Sequence, residues 1–168
     1  MNGLLLRDFA PQDFDALLVM RNDVVLQHLL LAHPSVQSEK DLWSWIERRR
    51  TEPGGMFRIV SVNGACAGFV QIVGVHRLDR RAYLGVCLAE VYRGVGIGRK
   101  VMELALEEAC RELKLRKILV EVRSDNAPAL QLYRRLGFRD VGVMLAHYSG
   151  RGQPDDVAIL EFLFSVAD

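Results

Sequence analysis

The chain lacks most of the features that would make its chemistry obvious. Its 168 residues contain three cysteines, Cys66, Cys87 and Cys110, an odd number without metal-ligand spacing. They read as reduced thiols, mostly buried, of a cytoplasmic protein rather than a disulfide framework. The four histidines, at 28, 33, 76 and 147, form no H-x-x-x-H pair, and no metal site is expected. No apolar run is long enough to span a bilayer, and the N-terminus shows no cationic segment, apolar stretch and cleavage site. Neither membrane association nor a secretory leader is expected. Charge of one sign is also missing: Lys plus Arg number 22 against 21 Asp plus Glu, a formal net charge of +1. That balance gives no electrostatic case for nucleic acid. There are no repeats, low-complexity tracts or linkers, so residues 1–168 read as one domain with enough chain to bury a core.

What is present is glycine in one place. Val91-Tyr92-Arg93-Gly94-Val95-Gly96-Ile97-Gly98-Arg99-Lys100 sets three glycines between a strand-like run and an amphipathic helix. Glycine lets main-chain N–H groups approach a ligand closely, and a helix N-terminus attracts phosphate. Arg93 and Arg99 add formal charge. A P-loop would need Lys followed by Ser or Thr after its last glycine, and Val101 stands where the hydroxyl should be. A dinucleotide fingerprint would need a third glycine where Arg99 stands, early in the chain. A nucleotide-dependent oxidoreductase, which predicts NAD binding, is therefore a weak rival. The pattern [RQ]-x-x-G-x-[GA] is met in full by Arg93 to Gly98.

A second pattern lies at Asn126-Ala127-Pro128-Ala129-Leu130-Gln131-Leu132-Tyr133-Arg134-Arg135-Leu136-Gly137-Phe138. Asp125 or Asn126 can cap a helix and Pro128 suits its first turn. Ala129, Leu132, Tyr133 and Leu136 share a face, and Gly137 stops the helix. Together the two segments resemble the GNAT superfamily of N-acetyltransferases, whose second pattern is N-x-x-A-x-x-L-Y-x-x-x-G-F.

The order of predicted elements agrees with that resemblance. Strands are expected at 3–9, 56–62, 65–75, 82–88, 117–122, from Phe138, and at 156–164, with a hairpin turn at Asn63-Gly64. Helices are expected at 13–20, 24–31, after the capping box Ser38-Glu39-Lys40-Asp41, at 101–115, and from Asn126. The fold class is α/β (α+β): a mixed, mostly antiparallel sheet of about seven strands flanked by helices, in which the resemblance implies a splayed central strand pair.

The resemblance implies an acetyl-CoA-dependent N-acetyltransferase working by direct attack of an amine. It implies that the main chain of Val86, Cys87 and Leu88 pairs with the pantetheine arm as an added strand. The amides of Gly94, Val95, Gly96, Ile97, Gly98 and Arg99, together with Arg93, would hold the pyrophosphate, and Asn126 the cofactor arm. Tyr133 matches the tyrosine near the thioester sulfur; with an ordinary pKa of about 10 it is a proton donor at neutral pH. Cys87, within an apolar strand and lacking an adjacent base, reads as a core thiol rather than a nucleophile.

The chain departs from the resemblance at the general base. Many members carry a glutamate early in the central strand, and Tyr83 stands there. Glu90, a water chain or an amine arriving neutral could replace it. Leu6-Arg7-Asp8, Met20 to Asp23, and Tyr148 to Arg151 followed by Asp155-Asp156 resemble the branch containing spermidine, ribosomal-protein and nucleotide-aminosugar acetyltransferases. Specificity is expected from residues 21–45, the Arg77 loop and the last hairpin. Asp23, Glu39 and Asp41 would serve a polyamine. Arg21, His28, His33, Trp43, Arg77 and Arg80 would serve a nucleotide sugar. A small-molecule amine is favoured over a protein N-terminus, and an acyl-CoA-binding module without activity is the non-catalytic rival. A homodimer is expected from the resemblance.

Overall fold

A computed structural model describes residues 3–164. Seven strands, β1 (Leu4–Arg7), β2 (Met56–Val62), β3 (Ala65–His76), β4 (Arg81–Leu88), β5 (Lys117–Arg123), β6 (Arg139–Tyr148) and β7 (Asp155–Leu163), form one sheet ordered β1-β2-β3-β4-β5-β7-β6. All neighbours are antiparallel except β4 and β5. Parallel strands need a crossover, and helix α4 (Ile97–Arg111) supplies it.

The β4–β5 pair is the feature that matters most. Pairing covers only Arg81↔Lys117, Ala82↔Ile118 and Tyr83↔Leu119. Beyond Tyr83 the strands diverge, while β4 stays paired to β3 through Gly68↔Leu88. The sheet therefore opens at its centre, as the splayed pair was expected to do.

Alternation along the strands sends side chains to two apolar layers. Val70, Ile72, Ala82, Leu84, Ile118 and Val120 pack beneath α4 and α5 (Ala127–Arg135). Phe57, Ile59, Phe69 and Cys87 face α1 (Phe14–Asn22), α2 (Val24–Leu29) and α3 (Glu39–Arg50). Trp45 fixes that second layer, with ring centroids 5.2 Å from Phe57 and 5.1 Å from Phe69. Gly68 allows β3 and β4 to lie close there, because a Cβ would collide with the Cys87 carbonyl oxygen.

The caps fall where the sequence puts them. Asp23 accepts from the N–H groups of Val25 and Leu26, Ser38 and Asp41 form the capping box of α3, and Asn126 caps α5. Two expectations need correction. The fourth helix starts at Ile97 rather than residue 101 and ends at Arg111 rather than 115. Its start lies inside the glycine motif because Gly96, at φ +85°, turns the chain and first-turn N–H groups need no partner in the helix. The cysteines are not uniformly buried: Cys87 is, Cys66 is half-buried, and Cys110 on α4 is exposed.

Candidate active site

A cavity of about 990 Å³ occupies the opening between β4 and β5 and extends to both faces of the sheet. The splay exposes main chain, the glycine segment closes one side, and α2 with the turn after it closes the other.

On the first side, a 3-10 turn at Glu90–Tyr92 carries the chain from β4 into the glycine segment. Gly94 and Gly96 have positive φ, and no atom lies within 4 Å of the Cβ either would carry. The loop therefore offers bare main chain to an open space. The N-terminus of α4 has no side-chain cap and no acidic residue in its first turn, so its N–H groups face that space unpartnered. The Arg93 Nε is buried and accepted by no group among the described residues. An orphaned guanidinium donor beside a glycine cradle fits a phosphate-bearing ligand. Arg99 lies at the rim, paired with Glu103 at 2.9 Å. Val95 projects to solvent and Ile97 into the core, so these two offer main chain only.

Val86, Cys87 and Leu88 line the cavity on β4, and Asn126 lines it at the start of α5. The Asn126 Oδ1 accepts from Ala129 N at 3.3 Å, which leaves the amide NH2 free. Tyr133, 6% exposed, also lines the cavity and packs against Phe138 at 5.2 Å. Burial pushes its phenol up to about 12, which keeps it protonated and a hydrogen-bond donor throughout the neutral range. Burial likewise pushes the Cys87 thiol up to about 12. A thiol held so far from ionisation is a poor nucleophile.

On the second side of the sheet the cavity is bounded by Leu26, Leu29, Leu30 and Leu31 above and by Gln71, Val73, Tyr83 and Gly85 below. Tyr83 is thus a site-lining residue. Glu90 is not: it is exposed and does not line the cavity. The carboxylate that does is Glu121 on β5, which sequence reasoning missed. Its neighbours Val120 and Val122 belong to the α4–α5 layer, so alternation turns Glu121 to the opposite face, where Tyr83 and Gly85 lie. The period-2 pattern of Ile118-Leu119-Val120-Glu121-Val122 was the available signal.

The specificity candidates are mostly placed elsewhere. Asp23 and Asp41 are occupied as caps. Trp43 packs on Phe9 and Phe14 at 5.7 and 4.7 Å. The Arg21 guanidinium lies 4.8 Å from the Trp45 ring centroid. Neither Arg77 nor Arg80 lines the cavity, and the tip of the last hairpin ties Arg151 to Asp155 and Asp125. Of residues 21–45, only α2 and the turn after it reach the site. Its wall is braced from outside. Buried Gln27 donates to the carbonyls of Arg21 (2.6 Å) and Ser35 (2.8 Å) and accepts from Ser35 N (3.0 Å). The Tyr148 hydroxyl donates to Ala32 O at 2.7 Å, and His28 Nδ1 lies 2.9 Å from the Tyr148 hydroxyl oxygen.

Among solved structures, a spermidine N-acetyltransferase from Vibrio cholerae in complex with CoA and spermine superposes with a TM-score of 0.90 at 21% identity, covering 97% of this chain and 96% of that one. The Vibrio enzyme has also been solved as a dodecamer. The spermidine N(1)-acetyltransferase of Escherichia coli (strain K12) is 30% identical over 95 residues, which span 56% of this chain and about half (51%) of that enzyme. An L-amino acid N-acetyltransferase of the same organism is 25% identical over 147 residues, 84% of this chain and 86% of the relative. The profile of the acetyltransferase (GNAT) domain matches residues 3–139. The loop, the splayed strands and this match agree, and the chain belongs to the GNAT acetyltransferase family.

Proposed function

We propose that this protein is an acetyl-CoA-dependent N-acetyltransferase that modifies a small-molecule primary amine by direct attack. The observation that carries the reading is the open β4–β5 seam. It has a glycine cradle and the orphaned Arg93 donor on one side, and a cavity holding one carboxylate on the other. Acetyl-CoA supplies the activated acetyl group. The main-chain amides from Gly94 to Arg99, with Arg93, bind its pyrophosphate, and Asn126 holds the arm. The free edge of Val86 to Leu88 pairs with the pantetheine and offers an N–H to the thioester carbonyl, where charge develops. Glu121 accepts the proton of the arriving ammonium, directly or through a water. Tyr133 donates a proton to the sulfur as the C–S bond breaks, and the second proton shed by the acylated nitrogen restores the phenol.

Calorimetric titration with acetyl-CoA and NAD tests this reading. Binding of acetyl-CoA but not NAD, followed by thiol release with an amine, is expected. Binding of NAD without acetyl-CoA would overturn it. Self-association fits the outer edge of the sheet. β6 ends the strand order and leaves Val141, Val143 and Leu145 54%, 54% and 77% exposed, a suitable face for a second copy. Sedimentation of wild type and Val143→Glu checks it, with a shift to monomer expected in the variant.

A further inference from the structure

We infer that the acceptor is a monoamine carrying its single ammonium on an apolar body, held by the Glu121 carboxylate and the Gln71 side-chain amide. The inference rests on the N-acetyltransferase reading and deepens it.

Gln71 stands opposite Gly85 in the β3–β4 register, on the face that looks toward α2. Its side chain lies across the glycine: a Cβ at Gly85 would come within 3.1 Å of Nε2 and 3.3 Å of Cγ. The absent side chain at 85 is thus what lets the amide reach over the seam. Gln71 Oε1 is shielded from solvent and accepts no hydrogen bond among the described residues. A buried acceptor without a donor is unfavourable, and a ligand N–H would relieve it. Rotation about the soft terminal torsion presents that oxygen to the cavity. An ammonium at the seam then has two acceptors, the Gln71 amide and the Glu121 carboxylate.

The leucine and valine walls of this half carry no charge, and the cations nearest to it are Arg93 and Arg21, whose fields reach Cys87. Leu26, Leu29, Leu30, Leu31, Val73 and Tyr83 form its walls, and Glu121 is the one carboxylate lining the cavity among the described residues. The cations that line it, Arg93, Arg99 and Arg135, belong to the glycine loop, the first turn of α4 and the end of α5. A polyamine would place its next ammonium a short methylene chain from the first, among leucines and without an anion. An α-amino acid would set its own carboxylate beside Glu121, an unfavourable like-charge contact. An apolar body on a single ammonium meets neither cost. Leu31 supports the shape of this wall: it holds φ +57°, a left-handed conformation rare for a bulky residue, fixed by the Gln27 and Tyr148 hydrogen bonds around it.

The test compares kcat/KM for 2-phenylethylamine, L-phenylalanine and spermidine at saturating acetyl-CoA, with acetyl-CoA affinity measured separately. Phenylethylamine and phenylalanine differ only by the carboxylate. Phenylethylamine is expected to lead each of the others by about tenfold or more. Gln71→Leu is expected to raise its KM by about tenfold while acetyl-CoA affinity holds, because only the amine loses a partner. Equal or faster turnover of spermidine or phenylalanine would overturn the inference and leave the transferase intact. Acetyl-CoA binding with turnover of none of the three would do the same. Loss of acetyl-CoA binding itself in the wild type would remove the transferase reading and this inference with it.

Discussion

The two halves of the cavity are built from different materials. The donor half is main chain: bare glycines, an uncapped helix end and a strand edge without a neighbour. The acceptor half is side chain: leucines from the end of α2, an amide from β3, a tyrosine from β4 and a carboxylate from β5. Under the proposed function, main chain recognises what all acyl-CoA molecules share, and side chains recognise what differs between amines. A substitution in one half should therefore move one binding constant and spare the other. Groups at the seam should move the chemical step and spare both.

Tyr133 gives the largest expected effect and the clearest test of the seam. Tyr133→Phe removes one oxygen from a buried ring that packs on Phe138. We expect kcat to fall by about 10²–10³-fold, the usual size of a lost general acid, with acetyl-CoA affinity and amine KM changed by less than about threefold. Because the phenol sits near 12, its loss should leave the neutral-pH part of the rate profile unmoved in shape. Steady-state thiol release from pH 6 to 9 measures both. A fall in acetyl-CoA affinity instead would move Tyr133 from the seam into the donor half.

Gly96 comes next and isolates the donor half. Gly96→Val introduces a β-branched side chain at φ +85° and projects it into space where nothing now stands within 4 Å. Folding carries a strain cost of about 1–3 kcal/mol, and the cradle loses its close approach. Acetyl-CoA affinity should weaken by about tenfold or more, while amine KM at saturating donor holds. Calorimetry reads the first and initial rates the second. The outcome also bears on what the sequence made legible. A main-chain site announces itself in sequence because only glycine permits it, and contiguous residues build it. The glycine loop was readable for that reason, the seven strands from their apolar runs and turns, and the placement of Asn126 and Tyr133 on the cavity wall from a second contiguous pattern. The acceptor half was readable only in part. Leu29, Gln71, Tyr83 and Glu121 come from four elements and meet only through register; Tyr83 stood out in the glutamate's place and Leu29 lay in the 21–45 segment, while Gln71 and Glu121 each read locally as an ordinary strand residue. The residues singled out instead were conspicuous charges and aromatics, and the fold uses several of them as caps, stacks and ion pairs.

Gln27 sharpens the same comparison from the other side. Its amide makes three main-chain hydrogen bonds that hold the chain after α2 over the cavity, yet it does not line the cavity itself. Gln27→Ala should destabilise the fold by about 1–3 kcal/mol through unpaired backbone groups. Amine KM should rise about three- to tenfold as the leucine wall loosens, with acetyl-CoA affinity unchanged. Thermal unfolding together with both binding measurements separates the parts. Equal weakening of donor and acceptor would mean that the halves are not independent.

Cys87 predicts the smallest effect on function and is the control for the whole comparison. It sits in the wall shared by both halves, on the strand that would pair with the cofactor, and a thiol there invites a covalent mechanism. Its environment argues otherwise, since burial holds it protonated up to about 12. Cys87→Ala should leave turnover within about threefold and lower stability by about 1–2 kcal/mol through lost packing. The thiol should instead show in the alkaline range. An unfolded cysteine ionises near the ordinary thiol value of 9.0, and burial holds the proton on the folded one to about 12. Between those values the native state binds more protons than the unfolded state, so stability falls as pH rises, by about 1.4 kcal/mol per pH unit for one such group. Cys66, pushed up to about 11, and Tyr133 add in the same direction. Denaturant titrations at pH 8, 9 and 10 should therefore show a shallower alkaline decline for Cys87→Ala than for wild type, with no pH-dependent difference at neutral pH. An unchanged decline would mean that the thiol ionises freely in the folded chain. The wall between the halves would then be wet, and a nucleophilic Cys87 would again have to be weighed against direct attack.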